Sequence, residues 1–416
     1  MQKVFSYRRG ELCCEGVPLA RIAARVATPT YVYSQAAIAS ALAAFERAFA
    51  RVPHTLCYSV KANSNLALLR LMAQQGAGFD IVSGGELYRV MRSAGPGAAR
   101  RTVFSGVGKT AEEIDMALAA NILFFHVESA DELELIAQRA RHGRRRARVA
   151  VRVNPDVEAG THPHIATGQT EHKFGVSARE ARRLARRAAA DAWLEFVGIG
   201  CHIGSQITRL APFRRALARL RDTAEGLKQA GLHVRYLDIG GGVGIRYQQE
   251  EVFRLADYAR TIQAATRGLG CHLVLEPGRA VVGPAGVLLS RVLVRKRGAE
   301  KNFLVLDAGM NDLLRPALYG ARHRILPVRE ANPGPTMPVD VVGPICETSD
   351  TFARGVRLPR LAVGELVAIC DVGAYGFAQA SNYNSRRRPA EVLVSGRRFR
   401  VIREREKWDD LIRREK

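Results

Sequence analysis

The chain has 416 residues, with 63 Lys and Arg against 40 Asp and Glu and a formal net charge of +23. Apolar residues make up 47%, which excludes disorder, and 38 Gly and 17 Pro are ordinary numbers that exclude a collagen-like or low-complexity chain. The length suits two domains with a full core. Taken alone, the charge asks for a polyanionic partner such as nucleic acid or an acidic membrane surface.

No run of 18 apolar residues is present, so no transmembrane helix is expected. Residues 1–10 carry no apolar stretch of the kind a secretory signal needs. The seven cysteines are scattered and lack metal-ligand spacing. They read as thiols in a reducing compartment, so a cytoplasmic, metal-free protein is expected.

From residue 55 onward, short apolar runs alternate with helical stretches. The runs lie at 55–60, 78–82, 102–105, 123–127, 149–153, 196–202, 234–239 and 272–275. Between them, segments such as 65–75 and 111–120 have the helical period. Eight alternating units predict an α/β fold, a (β/α)8 TIM-like barrel, over residues 29–280. After residue 280 the helical period vanishes. Runs at 286–294, 302–306, 337–342, 365–370 and 390–394 are separated by Gly and Pro. They predict a C-terminal all-β domain made of 281–416 together with 1–28.

Of the basic residues, 54 are Arg and only nine are Lys. Arginines cluster at 140–148 (ARHGRRRAR) and 178–190 (AREARRLARRAAA). The second cluster has an amphipathic helical pattern with a basic outer face. Neither contains an aromatic residue on which a base could stack. Both read as solvated faces, so no nucleic-acid partner is expected.

A barrel places functional groups just past the C-terminal ends of its strands. Polar residues recur there: Lys61, Asp80 and Ser83, Arg152 and Asn154, His202 and Ser205, Gly240, Gly241 and Gly242, then Glu276 and Arg279. Lys61 is either a snorkelling surface lysine or a desolvated amine able to form a Schiff base. The glycine run is either a plain turn or a phosphate-binding nest. The SGVGKT at 105–110 is not a P-loop, because position 103 is Val where that motif needs Gly. Glu276 either pairs with Arg279 or faces a cationic ring nitrogen. His202 is either a core histidine or a flat face for a ring. The set taken together describes a pyridoxal 5′-phosphate site.

The motifs YSVKAN (58–63), FDIVSGGEL (79–87), the 152–175 segment ending in KFG, CHIGSQ (201–206), DIGGGVG (238–244), EPGR (276–279), GPICETSD (343–350) and GAYGFAQASNYNSRRRPAEVLV (373–394) cover nearly the whole chain. In them the chain resembles the fold-type III pyridoxal-phosphate-dependent decarboxylases. The resemblance implies that Lys61 carries the cofactor, Glu276 keeps its pyridine nitrogen protonated and His202 stacks on it. It implies that Ser205 and Gly240–Gly242 hold the phosphate, with Tyr375 beside it and Asp80 lining the pocket. It implies that Arg279, Arg315, Tyr319 and Tyr375 bind substrate and that Glu347 takes a distal ammonium. Cys346 is the implied acid for Cα, with Lys61 as its rival.

The resemblance further implies a homodimer in which Cys346 and Glu347 serve the other subunit's site, and a Lys173–Asp350 pair across it. Ornithine-type relatives place Asp after the cysteine. Glu347 there, with arginines for a terminal carboxylate, favours meso-diaminopimelate, decarboxylated to L-lysine, over a simple diamine precursor. Decarboxylation of ornithine, arginine or carboxynorspermidine, alanine racemization, a non-catalytic cofactor carrier and a basic nucleic-acid binder are the competing readings. The run Arg386-Arg387-Arg388 is more basic than this chemistry needs.

Overall fold

Short runs of β-branched and aromatic residues become strands, and Ala/Leu-rich segments between them become helices. The computed structural model describes residues 4–160, 167–168, 173–330 and 335–416. The parts of the 152–175 motif at 161–166 and 169–172 lie outside the described residues. The N-terminal strands are β1 (Phe5–Arg8), β2 (Glu11–Cys14), β3 (Val17–Pro18) and β4 (Thr30–Ser34). Next come β5 (His54–Ser59), β6 (Gly78–Ile81), β7 (Thr102–Phe104), β8 (Phe124–Val127), β9 (Ala147–Arg152), β10 (Leu194–Gly200), β11 (Tyr236–Asp238) and β12 (His272–Leu275). The last group is β13 (Gly286–Arg297), β14 (Asn302–Leu306), β15 (Ile325–Pro327), β16 (Thr336–Val342), β17 (Thr351–Pro359), β18 (Leu366–Ile369), β19 (Ala390–Ser395) and β20 (Arg398–Arg403).

The chain divides into two units: residues 41–245 with 251–280, and residues 1–40 with 246–250 and 281–416. In the first, β5 to β12 pair in parallel and close through β9–β10 into an eight-stranded barrel. Helices such as Leu66–Gln74, Gly84–Ala94 and Ala211–Gln229 alternate with the strands. Cys57, Val103, Phe124, Ala150, Val197 and Val274, from six different strands, form one buried cluster, so the barrel is filled by side chains. Helix Ala178–Ala190 buries Ala181, Leu184, Ala185 and Ala188 and leaves its arginines outside, as its periodicity predicts.

In the second unit, nine strands form one sheet. Its main path runs β17-β16-β14-β13-β4-β19-β20, with β18 pairing both β13 and β15. The small sheet β1-β2-β3 and helix Leu19–Val26 bury Leu12, Val17, Leu19 and Ile22 against Val32, Val287, Leu289, Val392 and Val394 of the large sheet. The barrel expected from residue 29 therefore begins later. β4, with all five residues buried, lies between β13 and β19 and belongs to this sheet.

Gly198 on β10 stands opposite Tyr236 on β11, and a Cβ there would meet the Tyr236 carbonyl oxygen at 2.0 Å. Gly198→Ala is expected to force these strands apart and lower stability by about 1–3 kcal/mol, the usual result of overpacking. A thermal melt should show Tm falling by several degrees. An unchanged Tm would mean that the β10–β11 contact is slack.

Candidate active site

At the C-terminal mouth of the barrel, Lys61 follows β5 in a short 3-10 turn, Val60–Ala62. Its Nζ donates to Asp80 Oδ2 at 2.8 Å. Ser59 Oγ donates to the same carboxylate oxygen at 2.9 Å and lies 2.9 Å from the Glu276 carbonyl. Burial works against the Asp80 charge, but Lys61 and Ser59 outweigh it and hold this carboxyl below its usual range. Lys61 is thus a positioned amine, about one-third exposed, over a fully buried carboxylate.

Glu276 follows β12 and is buried, with no hydrogen-bond partner for its Oε1. Burial, then the Asp238 and Asp80 charges, push its carboxyl well above the carboxylate range. Behind it, Asp238 Oδ2 lies 2.9 Å from His126 Nε2, and Oδ1 accepts the Gly240 N–H at 2.8 Å. Burial dominates at Asp238 too and pushes it up to about 7. One ligand-type atom from each of His126, Asp238 and Glu276 lies within 4.8 Å of the others. Gly200 makes room for this meeting: a Cβ on it would reach 2.6 Å from the His126 ring and 2.7 Å from Asp238 Cβ.

His202 is pushed down to about 3 by burial first, then by Lys61 and Arg152, so its ring is neutral. Its Nδ1 accepts the Gly241 N–H at 3.1 Å, which leaves the ring proton on Nε2. The 4.0 Å to Glu276 Oε2 is accordingly no ion pair. The glycine run is tightly packed. Gly240 and Gly242 have left-handed φ values of 68° and 94°, and a Cβ on Gly241 would lie 2.1 Å from the Glu276 carbonyl. Two of its three amides already bond protein acceptors, Asp238 and His202, so the run shapes the carboxylate cluster. Arg279, expected at a distal substrate group, places Nη2 2.9 Å and Nε 3.3 Å from Ser205 Oγ.

Other strand-end residues serve the scaffold. Ser83 caps helix Gly84–Ala94. Arg152 pairs with Glu128 at 2.8 Å and lies over the Phe174 ring. Asn154 donates to the Phe174 carbonyl at 3.1 Å. SGVGKT is scaffold as well: the buried Lys109 bonds Glu132 and two carbonyls, and Thr110 caps helix Ala111–Ala120.

The second unit holds its own group of expected residues. Arg315 is buried, and its Nη1 lies 3.0 Å from His323 Nε2. His323 Nδ1 is 2.8 Å from the Cys370 carbonyl, which fixes Nδ1 as the protonated atom and Nε2 as the acceptor. The guanidinium also stacks 4.8 Å from the Tyr247 ring centre. Tyr319 OH accepts from Gln379 at 3.2 Å. Tyr375 takes a left-handed φ of 56°. Cys346 and Glu347 are exposed on a turn tied by Asp350, whose oxygens accept the Met310 and Ile345 N–H groups at 2.7 Å. Lys173 is exposed beside the Phe174 ring.

Sequence reasoning assigned no role to His126, Asp238, Ser59, His323 or Tyr247. Asp238 and Ser59 lay inside quoted motifs, and His126 interrupts the apolar FFHV of β8. These were the available signals.

A positioned lysine, a neutral histidine and a buried carboxyl with an unpartnered oxygen fit pyridoxal phosphate. A cationic ring N–H would supply the donor that Glu276 Oε1 lacks. Barrel and site together define a barrel-type pyridoxal-phosphate enzyme.

The pyridoxal-dependent decarboxylase, pyridoxal binding domain family matches residues 35–283. The chain is 49% identical to the diaminopimelate decarboxylase of Pseudomonas aeruginosa over 98% of its own length and 97% of the relative's. Its fold superposes with a TM-score of 0.91 on the Helicobacter pylori diaminopimelate decarboxylase complexed with L-lysine, at 42% identity, covering 95% of this chain and 98% of that one. The M. jannaschii enzyme, also in complex with L-lysine, gives 0.94 at 37% identity, covering 99% and 98%. The chain belongs to the diaminopimelate decarboxylases, within the fold-type III pyridoxal-dependent decarboxylase family.

In the cofactor-free protein, a raised Asp238 carboxyl keeps a proton that the unfolded chain has released. Native stability should therefore fall as pH rises from about 4, the unfolded value, to about 7. Asp238→Asn is expected to flatten this slope in thermal melts of the cofactor-free protein at pH 5 and 7. An unchanged slope would place the proton elsewhere.

Proposed function

We infer that the chain decarboxylates meso-2,6-diaminopimelate to L-lysine and CO2, the last step of lysine biosynthesis. The observation that carries this reading is the Lys61–Asp80 pair beside Glu276 in a chain 49% identical to a diaminopimelate decarboxylase. When bound, pyridoxal phosphate supplies an electron sink for the electron pair that departing CO2 leaves behind.

Lys61 holds the cofactor through its amine, and Asp80 and Ser59 aim that amine. Glu276 keeps a proton at the ring nitrogen. His202 offers a neutral flat face, so stacking adds no competing charge. Ser205 and Gly240–Gly242 serve the phosphate. Arg315, held by His323 and Tyr247, is preorganised for bidentate pairing with a terminal carboxylate. Arg279, Tyr319 and Tyr375 complete the grip, and ionised Glu347 takes the distal ammonium. Cys346 is the exposed thiol among seven free cysteines. It returns the proton to Cα, with Lys61 as the rival donor.

Cys346 and Glu347 serve the site of a second copy, so the working form is a homodimer. Free thiols throughout suit a reducing, cytoplasmic compartment. No helix among the described residues is long and apolar enough to cross a membrane.

The deciding experiment is CO2 release from meso-diaminopimelate, ornithine, arginine and carboxynorspermidine with added pyridoxal phosphate. Diaminopimelate should dominate, and activity confined to another amino acid would overturn the reading. Lys61→Ala should abolish the absorbance of the covalently held cofactor, whereas an unchanged spectrum would reject Lys61. Cys346→Ala should slow lysine formation by about 100-fold or more, the range for a positioned acid. An unchanged rate would give the role to Lys61.

A further inference from the structure

Glu347 is exposed, yet both of its carboxylate oxygens are held. Tyr383 OH donates to Oε1, and Ser349 Oγ donates to Oε2 at 2.9 Å. The next residue, Asn384, accepts the Cys346 N–H on its Oδ1 at 3.3 Å. Two neighbouring side chains of one turn thus touch the two residues assigned to the distal ammonium and to the Cα proton. The turn is not a relaxed one. Asn384 and Ser385 take left-handed φ values of 54° and 52° in succession, a conformation that L-residues adopt only when their surroundings impose it.

Those surroundings are the arginine run that the chemistry left unexplained. Arg386 donates to the Asp307 carbonyl at 3.1 Å. The Arg387 guanidinium lies 4.3 Å over the Trp408 ring. Arg388 Nε donates to Glu406 Oε1 at 2.6 Å, and its backbone N–H donates to Oε2 at 2.8 Å. Glu406 Oε2 also accepts Asn382 Nδ2 at 2.6 Å, so one carboxylate ties both flanks of the turn. On the other side, the Ser381 N–H donates to the Asn311 carbonyl at 2.9 Å. Each of three consecutive arginines has a different anchor, and all of them fix the chain just after residues 383 and 384.

We propose that Tyr383 and Asn384 are positioning residues for Glu347 and Cys346, and that Arg386, Arg387 and Arg388 exist to hold that turn in place. The proposal rests on the reading of Glu347 as the group that takes the distal ammonium. A free glutamate on a surface turn samples many rotamers, and a diffuse anion discriminates poorly between substrates. Two hydroxyl donors hold one rotamer and favour the ionised form. The pKa of Glu347 is lowered by the Tyr383 hydrogen bond first and by Ser349 second, in agreement. Tyr383 thereby acts on distal recognition without touching the reacting carbon.

The test is a double-mutant cycle on the holoenzyme with Tyr383→Phe, Glu347→Gln and the pair, measuring kcat and KM separately for meso-diaminopimelate. Tyr383→Phe should raise KM about tenfold, the size of one charge-assisted hydrogen bond, while kcat falls less than threefold. L-Lysine, which keeps the distal ammonium, should weaken as a competitive inhibitor by the same factor. In the Glu347→Gln background, Tyr383→Phe should change KM less than twofold, because the group it positions is gone. Additive effects in the cycle, or an unchanged KM for Tyr383→Phe, would overturn the proposal. A lower Tm with kcat falling as far as KM rises would also overturn it, since that is general loosening. Inactivity of the unmutated enzyme on diaminopimelate would instead sink the functional reading, so the two failures are distinguishable.

Discussion

The mouth of the barrel buries three carboxyl groups, on Asp80, Asp238 and Glu276, and the rest of the site follows from how their charge is managed. Three buried anions cannot stand together without compensation. Asp80 is compensated by Lys61 and Ser59. Asp238 is compensated by His126 and the Gly240 amide. Glu276 is left with an oxygen, Oε1, that no protein group satisfies, and Asp80 Oδ1 is unsatisfied as well. The imbalance marks where a cation belongs, and the pyridine nitrogen of the cofactor has that character. The glycines make room around this cluster. Gly200 lets His126 reach Asp238, and Gly241 lets the chain pass the Glu276 backbone carbonyl.

The barrel was legible because its signal is repeated. Eight apolar runs in regular alternation with helical periods specify one architecture even when each strand boundary is off by a residue or two. β4 was placed in the wrong unit because a fully buried strand carries no alternation that tells one sheet from another. β17 and β20 were missed for the opposite reason. Their sequences, TFARGVRLP and RFRVIR, mix arginines with apolar residues, and β20 lies at the end of the sheet path, beside β19. On the site, the residues expected to face a cofactor in the barrel stood at strand ends and could be named. The residues that hold them could not: His126 meets Asp238 from 112 residues away, and His323 is fixed by the Cys370 carbonyl from 47 away. Arg152 and Asn154 show the converse, strand-end positions with chemical promise whose side chains bond the protein's own Glu128 and Phe174 carbonyl.

The two units apply one rule by different means. In the barrel, charge is buried and fixed by neighbours on adjacent strands. In the β unit, the buried Arg315 is oriented by His323, whose Nε2 accepts from its Nη1, and by the face of the Tyr247 ring.

The surplus of arginine over lysine has its own structural logic. Arg145 places Nη1 within 3.4 Å of the Leu118 and Ala119 carbonyls, in the last turn of helix Ala111–Ala120. Arg221 donates to the Ala265 and Arg267 carbonyls at the end of helix Leu255–Thr266, at 2.8 and 2.9 Å. Arg146, Arg148 and Arg405 bond the carbonyls of Leu194, Ile122 and Pro29. The last carbonyls of a helix lack intrahelical donors, and a planar fork with five N–H groups can reach two at once where an ammonium is a compact point charge. These hydrogen bonds go to neutral backbone, although Arg221 also pairs with Glu225 through Nε at 2.8 Å. That accounts for part of the +23 without nucleic acid: these charges are a by-product of closing helix ends and pinning turns.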